Sequence, residues 1–300
     1  MNRNFTYHID IEHNNKAIDL FLKSHGFSRH ILSGLKANPQ GILLNGVHAT
    51  TRQLLSTGDV LSIQILEEKP SQNILPMAAP LSVCYEDEDI LVVNKPADTP
   101  IHPSMNNYDN SLANTVAYYY RKEDSPFVFR CINRLDRDTT GLTIIAKNAL
   151  SSAILSSMVS RRKIHREYLA ICSGIPPRQG TVNAPIARKS DSCVERIVDY
   201  EQGEQAITHY TRLTHTDTLS LLALKLETGR THQIRVHMKY LGYPLIGDYL
   251  YHPDTSRINR QALHSFRLTF CHPITGEKLC FTAPLPEDMA AILPLPSYMK

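Results

Sequence analysis

The sequence predicts an α+β protein: a mixed, largely antiparallel sheet with flanking helices, preceded by a small α/β module. Three observations lead there. Beyond about residue 80, strand signals outnumber helix signals and often follow one another directly, which favours antiparallel pairing over a wound parallel layout. The first 70 residues carry their own pattern of two short helices and a strand pair. Between the two parts, Lys69 to Pro80 (KPSQNILPMAAP) holds three prolines and no periodicity, the composition of a linker. The expected division is therefore a module over 1–68, a linker over 69–80 and a larger domain over 81–300.

In the module, helices are expected over Lys16 to Ser24 and Ser28 to Ala37. Ser28 is a suitable cap, with Ile31, Leu32 and Leu35 as an apolar stripe behind it. Ile42 and Leu44 precede Asn45-Gly46, a dipeptide that favours the left-handed backbone of a tight hairpin. After Gly58-Asp59, Leu61, Ile63 and Ile65 alternate with polar neighbours across Val60 to Ile65, as in a half-buried strand.

In the larger part, strands are expected at Val83 to Tyr85, Ile90 to Lys95, Leu142 to Lys147, Tyr168 to Cys172, Ala206 to Thr214, Leu219 to Leu226, Leu263 to Phe270 and Lys278 to Thr282. Helices fit Asn110 to Lys122, Leu150 to Ser160 and Thr231 to Leu241; in the last, Thr231 is the expected cap and Ile234, Met238 and Leu241 the buried stripe.

Composition narrows the function classes. Hydrophobic residues make up 42% of the 300 and charged residues 20%, ordinary for a globular protein and against extended disorder. No stretch approaches the roughly 20 apolar residues of a membrane span. The start, MNRNFTYHIDIEHNN, lacks a secretory apolar run, so a cytoplasmic address and no membrane partner are expected. Six cysteines stand singly without a CxxC, which predicts buried free thiols rather than disulfides or zinc. The fourteen histidines show no HExxH spacing, and no metal is expected. A net charge of +3 identifies no partner by itself. Its distribution says more: between Arg121 and Ala170 ten Lys or Arg face five Asp or Glu, either a positive face or a solvated helix end.

The segment Asn133-Arg134-Leu135-Asp136-Arg137-Asp138-Thr139-Thr140-Gly141-Leu142 crowds charges around Asp136 and runs straight into an apolar strand. A carboxylate on a loop held by a rigid strand can be presented to a reactant with little freedom. A surface salt-bridged loop is an equally good reading of local composition alone.

This NRLDRDTTGL closely resembles the HRLDRDTSGL signature of the pseudouridine synthase family that modifies uridines of large ribosomal and transfer RNA, the RluA type. Three further segments are similar in the same order: DEDILVVNKPADTPIHPS before it, REYLAICSG after it, and LETGRTHQIRVHMKYLGYPLIGDYLY followed by ALHSFRLTFCHPITGE. The resemblance spans about residues 81–285. It implies Asp136 as the nucleophile, Tyr168 as the ring packed on the target base, and Arg230 as the partner of the aspartate. Physical sense supports each: an arginine keeps a desolvated carboxylate ionised, and a tyrosine offers a flat face and a hydroxyl. Arg134, two residues from Asp136, is a candidate for entering the RNA or gripping its phosphate, or else an ion-pair partner of Asp138. Where the signature commonly begins with His, this chain has Asn133, which cannot take up a proton near neutral pH.

The order helix, helix, Asn-Gly hairpin, Gly-Asp-Val strand over about residues 14–66 resembles the S4-type RNA-binding domain. Members carry more basic helices; residues 1–70 here hold seven basic and six acidic side chains, which predicts no tight phosphate binding by this module alone. The implied activity is an isomerase needing no cofactor and acting on RNA as a monomer, with ribosomal RNA favoured over transfer RNA and no DNA expected. Two other classes stay open: a glycosidase using Asp136 and Asp138, which would release free uracil, and a non-catalytic RNA-binding protein.

Overall fold

The computed structural model describes residues 1–67, 71, 74–104, 108–121 and 126–297. Residues 1–67 build β1 (Arg3–His8), α1 (Ile18–Ser24), α2 (Arg29–Ala37), β2 (Ile42–Leu44), β3 (Val47–His48) and β4 (Val60–Ile65). The four strands form an antiparallel sheet in the order β1-β4-β2-β3. Ser28 caps α2 by accepting the Ile31 N–H, and Asn45 and Gly46 take φ of 53° and 80°, the turn that joins β2 to β3. Strand β1 is absent from the sequence reading because Phe5 is its sole buried residue, too weak an alternation to register. The core of this part, around Leu22, Leu32, Leu35, Leu61 and Ile63, also takes in Leu150.

The larger sheet uses β5 (Val83–Glu86), β6 (Ile90–Lys95), β7 (Thr140–Ala146), β8 (His165–Ser173), β9 (Gln179–Asn183), β12 (Ile207–His215), β13 (Leu219–Leu226), β14 (Leu263–Cys271) and β15 (Lys278–Thr282). A separate hairpin, β10 (Ile186–Arg188) with β11 (Arg196–Val198), stands between β9 and β12. The order is β5-β6-β7-β14-β8-β13-β12-β9, with β15 branching from β14. One pairing is parallel, β7 with β14; the others are antiparallel, so the fold is the expected α+β mixed sheet.

Gly141 makes the parallel contact possible. At φ +110° it adopts a backbone that side chains rarely tolerate, and a Cβ there would lie 2.3 Å from the Ser265 carbonyl oxygen. The strand that follows the Asp136 loop is thereby pressed directly on β14.

Helices cover both faces. On one, α3 (Leu112–Tyr119) and α5 (Gln233–Tyr240) pack over Leu91, Ile145, Ala170 and Leu222. On the other, α4 (Ala149–Ser160) covers Val92, Ile144 and Phe270, while α6 (Glu287–Ala290) brings Met289 against Ile171 and Leu221. α4 also touches the first 67 residues, since a Cβ at Gly26 would meet Ile154 Cγ1 at 2.5 Å; separately, Arg3 forks onto the buried Asp89, just ahead of β6, through two 3.2 Å bonds.

Of the expected linker, residues 69, 70, 72 and 73 lie outside the described residues, as does Lys122 at the end of the expected third helix. The remainder lies along the larger part: Ser71 Oγ accepts the Phe129 N–H at 2.9 Å and the Asn114 amide donates to Leu75 O at 2.8 Å. The thiol expectation needs correcting, since Cys84, Cys193, Cys271 and Cys280 are exposed and Cys172 is the fully buried one. Cys193 lies in a turn, Cys271 ends β14, and Cys84 and Cys280 lie within the short strands β5 and β15. Among the described residues no helix is long and apolar enough to cross a membrane.

Candidate active site

The loop ahead of β7 is fastened residue by residue. Asn133, buried, donates its amide to Leu142 O at 3.1 Å and accepts the Ile144 N–H at 2.8 Å, tying the loop's start to β7. An amide can donate and accept at once, so Asn133 serves here as a clamp. The Arg137 carbonyl accepts from Lys95 Nζ and from Thr99 N–H. Arg260 reaches the Asp138 carbonyl, Gln261 the Thr139 hydroxyl, and His264 the Thr140 hydroxyl.

Lys95 is almost wholly buried, and burial pulls its pKa down to about 7 against the fields of Asp138 and Asp136. Its Nζ nevertheless donates to three carbonyls, of Pro96, Thr99 and Arg137, each at 2.8 Å. Three donors require the ammonium form, so the geometry assigns the charge that desolvation opposes.

This frame presents Asp136. Its Oδ2 accepts Arg235 Nη1 at 3.0 Å, and Arg235 in turn forks onto Asp248 through Nε and Nη2 at 2.7 and 2.8 Å. Arg235 is 2% exposed and Asp248 0%. Burial works against the guanidinium charge, but its hydrogen bonds to Asp248 and the field of Asp136 outweigh it and hold its pKa above the ordinary arginine value. Among the described residues, the side-chain partners of the Asp136 carboxylate, Arg235 and His232, both lie on the Oδ2 side.

His232 stands next to this pair, in the left-handed region at φ 57°, ψ 19°, with Nε2 4.0 Å from Asp136 Oδ2. Its Nδ1 lies 2.9 Å from the Tyr251 hydroxyl, which itself accepts the Arg196 N–H at 2.9 Å. Burial pushes Tyr251 up to about 12, so its hydroxyl stays protonated; with the Arg196 N–H already on its oxygen, it has a proton to offer Nδ1. Burial likewise lowers the His232 pKa and keeps the ring neutral. A neutral ring that accepts at Nδ1 carries its proton on Nε2, the side of the Asp136 carboxylate.

A cavity of about 390 Å³ opens above the carboxylate, walled by His102, Arg134, Asp136, Arg230, His232 and Arg235 among others. A smaller recess of about 50 Å³ beneath it adds Tyr168, Leu226 and Ile234. Tyr168 lies on β8, buried, its pKa raised first by burial, with Arg166 lowering and Asp136 raising it. Arg134 is exposed on the cavity wall, and the ion pair with Asp138 is made by Arg137 at 3.2 Å.

The pairing of Arg230 with Asp136 is corrected by the structure. Arg230 turns to the rim, bonding Glu204 through Nη1 and Gln205 O through Nε at 3.1 Å. It precedes α5 on an exposed turn, whereas Arg235 lies inside the helix with buried neighbours on both sides. The expected cap is corrected too: His232 holds the cap position of α5, and the Gln233 side chain accepts the Arg230 N–H at 2.9 Å. Sequence reasoning missed Arg235, His232, Asp248 and Lys95. One signal was present: in Gln233-Ile234-Arg235-Val236-His237-Met238 a charge interrupts a helix that is buried on nearly every side.

The sequence model of one protein family, RNA pseudouridylate synthase, matches residues 89–240. The chain is 41% identical over 269 residues to the uncharacterized RNA pseudouridine synthase YjbO of Bacillus subtilis, covering 89% of this chain and 95% of that protein. It is 36% identical over 269 residues to the ribosomal large subunit pseudouridine synthase D of Escherichia coli K12, covering 85% and 82%. Among solved structures it is similar to human RNA pseudouridylate synthase domain containing 1, with a TM-score of 0.59 at 28% identity, over 74% of this chain and 89% of that one.

Proposed function

The chain belongs to the RNA pseudouridylate synthase family, enzymes that isomerise uridine to pseudouridine, and from that premise we propose that it modifies a uridine of large-subunit ribosomal RNA with Asp136 as nucleophile. One observation carries the reading. Asp136 is anchored through one oxygen by a buried arginine, itself locked by Asp248, and the residue lines a cavity. The ribosomal target rests on the relatives named for that RNA.

The reaction breaks N1–C1′, turns the trapped uracil, joins C5 to C1′, and moves one proton from C5 to N1 by way of solvent. Atoms and electrons balance within the nucleoside. Covalent capture at the base or at the sugar carbon would use the same Asp136 oxygen, and either is helped by a carboxylate already desolvated and aimed. Tyr168 would pack on uracil from the recess below, its hydroxyl protonated at neutral pH. The Nε2–H of neutral His232 is a donor suited to a uracil carbonyl.

A uridine in a stacked strand must first turn out, at a cost of a few kcal/mol. Arg134, exposed on the cavity wall, is the group we assign to the gap or to the adjoining phosphate, with Arg230 gripping the strand at the rim. Residues 1–68 act in this reading as an S4-like RNA-binding module, 69–80 as a linker and 81–300 as the catalytic domain. The module offers Lys23, Arg29, Lys36 and Arg52 on its exposed surface.

The test is a map of pseudouridine in ribosomal and transfer RNA from cells with and without the gene, together with purified wild type and Asp136→Asn. We expect one or a few ribosomal uridines to lose modification without the gene, and the amide variant to be slower by about 10⁴-fold or more, as when a nucleophile is removed. Free uracil among the products would favour the glycosidase reading. A fully active Asp136→Asn would sink the nucleophile.

A further inference from the structure

Two further cavities continue from the active site along the β10–β11 hairpin. A groove of about 470 Å³ shares Gly229, Arg230 and Thr231 with the cavity above Asp136 and adds Arg188 and Arg196. Arg196 then leads into a third pocket of about 430 Å³, walled by Ile197, Tyr200, Lys239, Tyr240 and Tyr251. No sequence motif marks this third pocket, and the chemistry proposed above uses none of it beyond the Tyr251 hydroxyl.

The third pocket is unlike ordinary surface. Tyr200 is 67% exposed and Tyr240 53%, yet their hydroxyls meet at 3.3 Å, so two large rings stand together at its mouth. Scattered exposed apolar residues need no explanation, but a cluster of them around a cavity marks an interaction site. Lys239 Nζ lies 5.3 Å over the Tyr251 ring, bringing a cation to the same wall. Across the groove and the pocket, the lining cations are Arg188, Arg196, Arg230 and Lys239, against the single carboxylate Glu204.

A cationic track ending in aromatic faces is the arrangement that holds single-stranded nucleic acid, with phosphates on the cations and bases on the rings. We propose that the pocket of Tyr200, Tyr240 and Lys239 binds an unpaired nucleotide of the RNA strand flanking the target, its base stacked on the tyrosines and its phosphate on Lys239 or Arg196. The inference rests on the reading of this chain as an RNA-modifying enzyme. It adds a second grip, independent of Asp136, that recognises a base by its face and so tolerates any sequence. The pocket also adjoins the reacting centre, because Tyr251 forms its wall with the ring and holds His232 with the hydroxyl.

The probe is an oligouridine of about twelve nucleotides, within the reach of one single-strand groove, carrying 2-aminopurine at successive positions. With the full chain we expect the fluorescence at one position to be quenched. Tyr200→Ala with Tyr240→Ala should weaken binding about tenfold or more and abolish that quenching, with an unchanged melting temperature. Lys239→Met should lower the salt dependence of binding by about one phosphate. Unaltered affinity and quenching in the double variant would overturn the proposal, and that is also the result if the pocket serves a protein partner. Pseudouridine formation is followed in parallel: wild type that converts no uridine but keeps tyrosine-dependent binding defeats the functional reading and leaves the pocket standing. Wild type that converts uridine while the double variant binds normally defeats the pocket alone.

Discussion

The floor of the site and its rim each hold an arginine, five residues apart in sequence, and the two have opposite surroundings. At the floor, Arg235 is buried and divides three hydrogen bonds between Asp248 and Asp136; at the rim, Arg230 has a side chain 39% exposed and meets Glu204 in solvent. The lesson is that charge alone does not identify the partner of a carboxylate. A buried guanidinium must satisfy its donors with carboxylates or pay a large desolvation penalty, so Arg235 fixes Asp136 whether or not RNA is present. An exposed one is hydrated in either state and remains available to a phosphate.

The comparison breaks most readily at Arg235. Arg235→Ala leaves Asp248 fully buried without a counter-charge, which should cost about 3 to 5 kcal/mol in denaturant-induced unfolding, with turnover lost as well. Arg235→Lys should rescue little of either, since one ammonium cannot fork onto Asp248 and still reach Asp136. A stable, active Arg235→Ala would show that the floor is not built on this network.

Next in size is the acid limb of stability. Burial lowers the pKa of His264, the partner of Thr140 at the foot of the Asp136 loop, to about 4. Its folded value is below the ordinary one near 6.5, so the unfolded chain binds the proton first. The contribution is therefore complete above about pH 6.5 and is lost as pH falls towards 4, at most about 3 kcal/mol. Unfolding followed across that window should show His264→Gln with a shallower slope, by up to one proton. An identical slope would mean that this histidine is not kept neutral.

The smallest effect belongs to the rim. Arg230→Ala should change stability by less than about 1 kcal/mol, as for other exposed pairs. It should raise KM for RNA severalfold and remove about one phosphate from the salt dependence. A loss carried by kcat instead would erase the distinction between floor and rim.

The sequence was most legible where a local rule decides the structure. Ser28 is a helix cap because its oxygen needs only its own first turn, and Asn45-Gly46 turns the chain because of backbone freedom that these residues carry with them. Strands β9, β10 and β11 were not legible, for they are short and partly exposed and owe their pairing to neighbours distant in sequence. The loop around Asp136 lies between these cases. Its signature could be read, while the clamps from Lys95, Arg260 and Gln261 come from positions 41 residues before and over 120 after.

By itself, then, the sequence determined the α+β class, the longer and more regularly patterned elements, and a family signature centred on Asp136. Tertiary structure alone decided that Arg235 rather than Arg230 holds the carboxylate, that Asp248 locks the arginine, and that Tyr251 meets His232 at Nδ1. The physical reason is range. Caps, turns and periodicity act within a few residues, but burial, which turns an ordinary ion pair into a fixed one, depends on what the rest of the chain packs around it.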